Sequence, residues 1–78
     1  MSTNIDARLI YMVNRTEELL HDDPISLIVA SGHRGISAMR DLIDAKTADE
    51  TVFARNRMAS VCRVEATEIA LHEWDGDR

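Results

Sequence analysis

Residues 47–74 read TADETVFARNRMASVCRVEATEIALHEW, and this stretch decides the fold. It contains no glycine or proline, so nothing in it interrupts a helix. Thr47-Ala48-Asp49-Glu50 matches a capping box, in which the Thr47 hydroxyl accepts a first-turn N–H and Glu50 reaches back. Asp49 and Glu50 also suit the positive end of the helix dipole. Gly76 and the charged residues after Trp74 mark its end. Apolar side chains fall on two separate sides of this helix. One stripe comprises Val52, Met58, Ala59, Cys62, Ala66, Ile69 and Ala70, and is rich in small residues. The other comprises Phe53, Val61, Val64 and Leu71. A helix with one apolar stripe needs one neighbour; a helix with two needs more cover than a short chain offers.

Upstream, the spacing predicts a helix over residues 4–21. Ile5, Leu9, Met12, Val13, Thr16, Leu19 and Leu20 recur at intervals of three and four, and Ser2, Thr3 or Asn4 can cap its start. Asp22-Asp23-Pro24 stops it and starts the next. Asp23 is a good N-cap, and Pro24 suits a first helical turn, where a missing N–H costs nothing. The segment 24–45 has two readings. Ile25-Ser26-Leu27-Ile28-Val29-Ala30 has the β-branched character of a buried strand. The preferred reading is a helix whose buried face is Ile25, Ile28, Val29, Gly32, Ile36, Met39 and Ile43. Gly32 then allows close helix approach, and His33 and Arg34 point outward. Two glycines cost roughly 1 kcal/mol each relative to alanine, so a kink or break is expected near Gly32–Gly35.

The expected fold is therefore all-α: one helical domain over 1–78 with three antiparallel helices, at about 4–21, 24–45 and 48–74. At 78 residues the core is marginal by itself, and small domains often lean on oligomerisation, a metal or disulfides. A disulfide within the chain is excluded, because Cys62 is the single cysteine. A lone cysteine in an intact helix fits a reducing cytoplasm. The first residues lack the basic patch and apolar run of a signal peptide, and no run approaches the ~20 residues of a membrane span. A cytoplasmic location is the expectation.

Fourteen acidic residues stand against nine basic ones, for a net charge of −5. That balance disfavours a nucleic-acid binder, which carries a basic excess or stripe. Arg55, Arg57 and Arg63 do not form one stripe.

Three short constellations bear on chemistry. Gly32-His33-Arg34-Gly35, if preceded by a strand, would offer backbone N–H groups and Arg34 to an anion. The string matches neither a P-loop nor a dinucleotide fingerprint, and the plainer reading is an interrupted helix with two exposed polar residues. Asp41 and Asp44 share a helix face, as do Glu65 and Glu68. Two such pairs on facing helices would hold Mg²⁺ against a nucleotide's phosphates. In this respect they loosely resemble the paired acidic motifs of all-α nucleotide pyrophosphatases. The first pair is Asp where that family favours Glu, and no lysine or aromatic pocket for a base stands out. Solvated helix faces show the same spacings. Finally, Glu18 with His21 and Glu68 with His72 lie at helical spacings, yet a di-iron bundle needs two Glu-x-x-His motifs and only one is present. Both histidines sit near helix C-termini, where the dipole favours them. Cys62, on the small-residue stripe, is read as a packed, inert thiol.

The remaining reading is contact. Ile10 and Tyr11 lie outside the main stripe of the first helix, and Trp74 lies at the last turn of the third. Together with Phe53, Val61, Val64 and Leu71 they make a candidate interface. The expected function is a small helical protein-interaction module, an adaptor or inhibitor, self-associating and needing no cofactor. The alternative is a metal-dependent nucleotide phosphohydrolase using Asp41, Asp44, Glu65 and Glu68.

Overall fold

A computed structural model describes residues 3–76, with side chains from residue 7 to residue 75. Four helices follow one another: α1 (Thr3–Asp22), α2 (Pro24–Ala30), α3 (His33–Asp44) and α4 (Ala48–Gly76). No strand occurs among the described residues. The all-α class holds, but the helix count is four and not three, because the segment 24–45 breaks at Ser31–Gly32. The possible caps Ser2, Thr3 and Asn4 and the apolar Ile5 lie outside the side chains described.

Local chemistry explains each boundary. Asp23 accepts a hydrogen bond from the Ser26 N–H at 3.2 Å, and Pro24 opens α2. Ser31 ends α2, its N–H and hydroxyl both donating to the Leu27 carbonyl, at 2.9 and 2.8 Å. Gly32 caps α3 with φ 63° and ψ −129°, a conformation that side-chain-bearing residues avoid. The capping box forms as its sequence implies. The Glu50 N–H donates to Thr47 Oγ1 at 3.1 Å, and Glu50 Oε1 accepts from the N–H groups of Thr47 and Lys46 at 3.1 and 2.9 Å. Those backbone bonds, Lys46 first, hold the Glu50 carboxyl below its ordinary pKa.

The long helix α4 is the spine. α1 runs antiparallel along its C-terminal half, joined by Arg15–Glu73 and Arg63–Glu17 ion pairs. α3 runs antiparallel along its N-terminal half, where Arg57 bonds Asp41 and Ser37. α2 sits at the join and touches all three other helices, while α1 and α3 do not meet. The molecule is accordingly long, 50 × 22 × 18 Å, with a radius of gyration of 14.9 Å. A compact chain of this length has about 11.5 Å.

The core is built of small residues. Ala38, Ala54, Cys62, Ala66 and Ala70 are buried, with Thr16, and Leu27 is the one large side chain fully enclosed among the described residues. Leu27, Cys62 and Ala66 form its centre, flanked by Leu19, Leu20, Ile28, Met58 and Ile69. Part of the expected core is outside it. In α4, Val52 and Ala59 are exposed and Ala54 takes their place. In α1, Leu9 and Val13 are exposed.

The largest correction concerns α2 and α3. The apolar face expected to be buried is turned to solvent: Ile25, Val29 and Ile43 are 70%, 72% and 74% exposed, and Ile36 and Met39 are exposed too. The inward face is instead Leu27, Gly35 and Ala38. Close approach explains the choice. A Cβ on Gly35 would lie 2.1 Å from the Ile28 carbonyl oxygen, so α2 and α3 meet backbone to backbone there. Gly35, and not Gly32, is the close-approach glycine; Gly32 supplies the turn.

Gly35→Ala should therefore destabilise the fold by roughly 1–3 kcal/mol, the usual cost of overpacking. Gly32→Ala should cost a similar amount, of order 1–3 kcal/mol, through backbone strain. Urea unfolding followed by circular dichroism measures both, and a helical spectrum is expected for each variant. An unchanged Gly35→Ala midpoint would contradict the close contact.

Candidate functional site

Two ends of the molecule carry polar side-chain clusters. At the α1–α4 end, Glu73 accepts from Arg15 Nε at 2.7 Å, from a terminal Arg15 nitrogen at 3.1 Å and from the Tyr11 hydroxyl at 3.0 Å. The Arg15 fork makes this a two-point pair. The hydrogen bonds from Arg15 hold the Glu73 carboxyl below its ordinary pKa; desolvation opposes them, and the Tyr11 hydroxyl lowers it further by a lesser amount. Arg15 is pushed up chiefly by the same bond. Tyr11 and Trp74 stack beside it, ring centroids 5.4 Å apart and tilted by 47°. Two residues expected at an interface thus pack on each other within the chain, both half-buried. The Trp74 indole nitrogen is buried with no acceptor among the described residues.

At the α3–α4 end, Asp41, Asp44, Asp49 and Glu50 line an open hollow with Phe53 and Ala54. Asp41 is ion-paired with Arg57. Glu65 and Glu68 lie elsewhere, beside Ile69, His72 and Glu73. Residue 65 is eight positions beyond Arg57, about 12 Å along the helix axis. The two acidic pairs are therefore not brought together. Among the described residues no group of three or more acidic, histidine or cysteine side chains is arranged to hold a metal ion. Glu18 bonds Arg15 at 3.2 Å, and His21 meets Asp22 at 3.0 Å on the surface.

The string Gly32-His33-Arg34-Gly35 follows a helix, not a strand, since Leu27–Ala30 belongs to α2. His33 and Arg34 are exposed, as expected. Cys62 is 5% exposed and burial pushes its thiol pKa up, which keeps it protonated and unreactive.

What the surface does offer is apolar. Ile10 is 62% exposed, Phe53 73% and Val64 44%, while Val61 and Leu71 are half-buried. The α2–α3 face adds a groove of about 620 Å³ lined by Ile25, Ile28, Val29, Ile36, Met39, Arg40 and Ile43. Sequence reading missed this groove as a surface because its helical spacing is that of a core face. No helix among the described residues is long and apolar enough to cross a membrane. No family model, curated protein or solved structure matches this chain.

Two outcomes follow. Glu73 has a lowered pKa in the folded state, so the native protein binds fewer protons than the unfolded one. The stability it confers is present above the unfolded value, about 4.3, and is lost as pH falls through the folded one. Thermal midpoints recorded from neutral to acid pH should show a decline on the acid side that is shallower in Glu73→Gln. The acidic pairs predict the opposite kind of result. Mg²⁺ or Mn²⁺ should neither raise the midpoint nor support pyrophosphate release from nucleoside triphosphates. Asp44→Asn and Glu68→Gln should each change stability by no more than about 0.5 kcal/mol. Metal-dependent turnover lost in either variant would establish the phosphohydrolase instead.

Proposed function

We propose that this chain is a small helical protein-interaction module without catalysis of its own, an adaptor or inhibitor that associates with other helices, copies of itself included. One observation carries the reading: eleven large apolar side chains of the described residues are exposed, from 38% for Met39 to 74% for Ile43. Isolated exposed apolar residues are ordinary. Here five of the eleven share one face of α2 and α3, and contiguous apolar surface marks an interaction site. The total surface agrees. The chain exposes 5794 Å² at a mass of 8.8 kDa, where a compact monomer exposes about 4800 Å².

The mechanism is burial of apolar helix surface against helices of another chain. Charged side chains around that surface set orientation and exclude wrong partners. Arg57 and Arg63 contribute less to this, since each is already bonded within the chain to Asp41 or Glu17.

Affinity capture from the source cell tests the proposal, with the intact chain compared against folded Ile43→Glu, Phe53→Glu and Val64→Glu. A stoichiometric companion, or self-association, is expected for the intact chain and should be lost in at least one variant. A chain that stays alone in the lysate and monomeric in isolation would sink the reading.

A further inference from the structure

The two halves of α1 are held in different ways. In the second half Thr16 is buried, and Leu19 and Leu20 pack against the core centre. In the first, from residue 7 to residue 14, no side chain is buried, and only Tyr11 and Met12 are half-buried. Leu9, Ile10 and Val13 are exposed. The stacked and hydrogen-bonded contacts of Tyr11 and Arg15 with α4 gather at one point. The Tyr11 ring lies on Trp74, and its hydroxyl meets the Arg15 fork on Glu73. Both partners stand in the last turn of α4, which ends at Gly76.

We infer that residues 7–14 form a latched arm, which opens from α4 when the contacts of Tyr11 and Arg15 with Glu73 and Trp74 let go, while Thr16 and the rest of the fold stay in place. Local opening belongs to segments with few buried apolar contacts, and this half of α1 has none that is fully buried among the described residues. A detached segment this short does not hold a helix in water. The arm therefore unwinds as it leaves.

Release strands little. Arg15 also bonds Glu18 on its own helix, at 3.2 Å, and keeps that partner when Glu73 is lost. The Trp74 indole N–H is buried with no acceptor among the described residues, and opening returns it to water. What opening uncovers is apolar. Tyr11 and Met12 join Leu9, Ile10 and Val13 in an unbroken aromatic and apolar run from residue 9 to residue 13, and Trp74 is bared on α4. The latch is thus a gate: the closed chain hides the Tyr11 and Trp74 rings against each other, and the open chain presents them.

Amide hydrogen exchange of the full chain at neutral pH, resolved by residue, tests the arm. In the intact protein, residues 11–14 should open together and exchange faster than residues 54–66. Tyr11→Phe and Glu73→Gln each remove part of the latch and keep the rest. Each should speed exchange at residues 11–14 by about two- to fivefold, the scale of a part-exposed ion pair. Tyr11→Ala removes the ring stack as well and should reach roughly tenfold or more. Residues 54–66 should be unchanged in all three. Trp74 is the single tryptophan, so acrylamide quenching of its fluorescence gives a second reading and should rise in the same order. A frayed helix end behaves differently: rates that fall steadily along α1 and do not respond to Glu73→Gln overturn the inference. Acceleration of residues 54–66 in step with residues 11–14 overturns it too, because the latch would then belong to the global fold.

Discussion

A row of residues at intervals of four, small at every position but Met58, governs this structure: Ala54, Met58, Cys62, Ala66 and Ala70. All but Met58 are buried, and Met58 packs against the core centre. A spacing of four overshoots the helical turn, so each step rotates about 40° around the α4 axis. Over the sixteen residues from Ala54 to Ala70 the row turns by about 160°. Its two ends thus face nearly opposite sides of α4. A neighbour that follows the row must wrap around the spine. The chain does this in pieces, with α3 at one end, α1 at the other and α2 carrying the path between them. That is why α1 and α3 share α4 without touching.

The same constraint sets where polar side chains go. Small residues let helices approach closely but bury little apolar area, about 25 cal/mol per Å² of what is removed from water. Long side chains beside the row close the contact instead. Arg57 reaches back to Asp41 and Ser37, Arg63 to Glu17, and Arg15 across to Glu73. Exposed pairs of this kind contribute little each, about 0–1 kcal/mol. Their effect is on register, because the fork of Arg15 on Glu73 fixes α1 along α4 with the Tyr11–Trp74 stack beside it.

Much of this was legible in the chain. The Thr47–Glu50 box, the Asp23-Pro24 start and the break beside Gly32 were all readable, because each depends on residues within a turn of one another. The spiral was not. A fixed helical projection of α4 divides its apolar residues into two straight stripes, and the buried row crosses from one side to the other. Ala54 was missed for that reason, and Val52 and Ala59 were assigned to the core. In α2 and α3 the error came from reading apolarity as burial. The inward side carries Gly35, whose missing side chain admits the Ile28 carbonyl seven positions back, a steric fact that periodicity does not encode. The Tyr11–Trp74 stack joins residues 63 positions apart and left no local signal.

Gly35 also decides what the outer face is. Two helices could bury their isoleucines against α4 only by standing off at side-chain distance. The glycine contact holds α2 against α3 backbone to backbone, and Ala38 is buried completely. Close approach on that side rotates Ile25, Val29, Ile36 and Ile43 outward, where water meets them. Apolar exposure on this scale opposes folding of a lone chain, because burial is the main favourable term and the conformational entropy lost is of similar size. A sequence that turns Gly35 and Ala38 inward and its isoleucines outward leaves apolar area that its own core does not bury. Anything that covered the α2–α3 face would stabilise the fold as well, by mass action on the folded state.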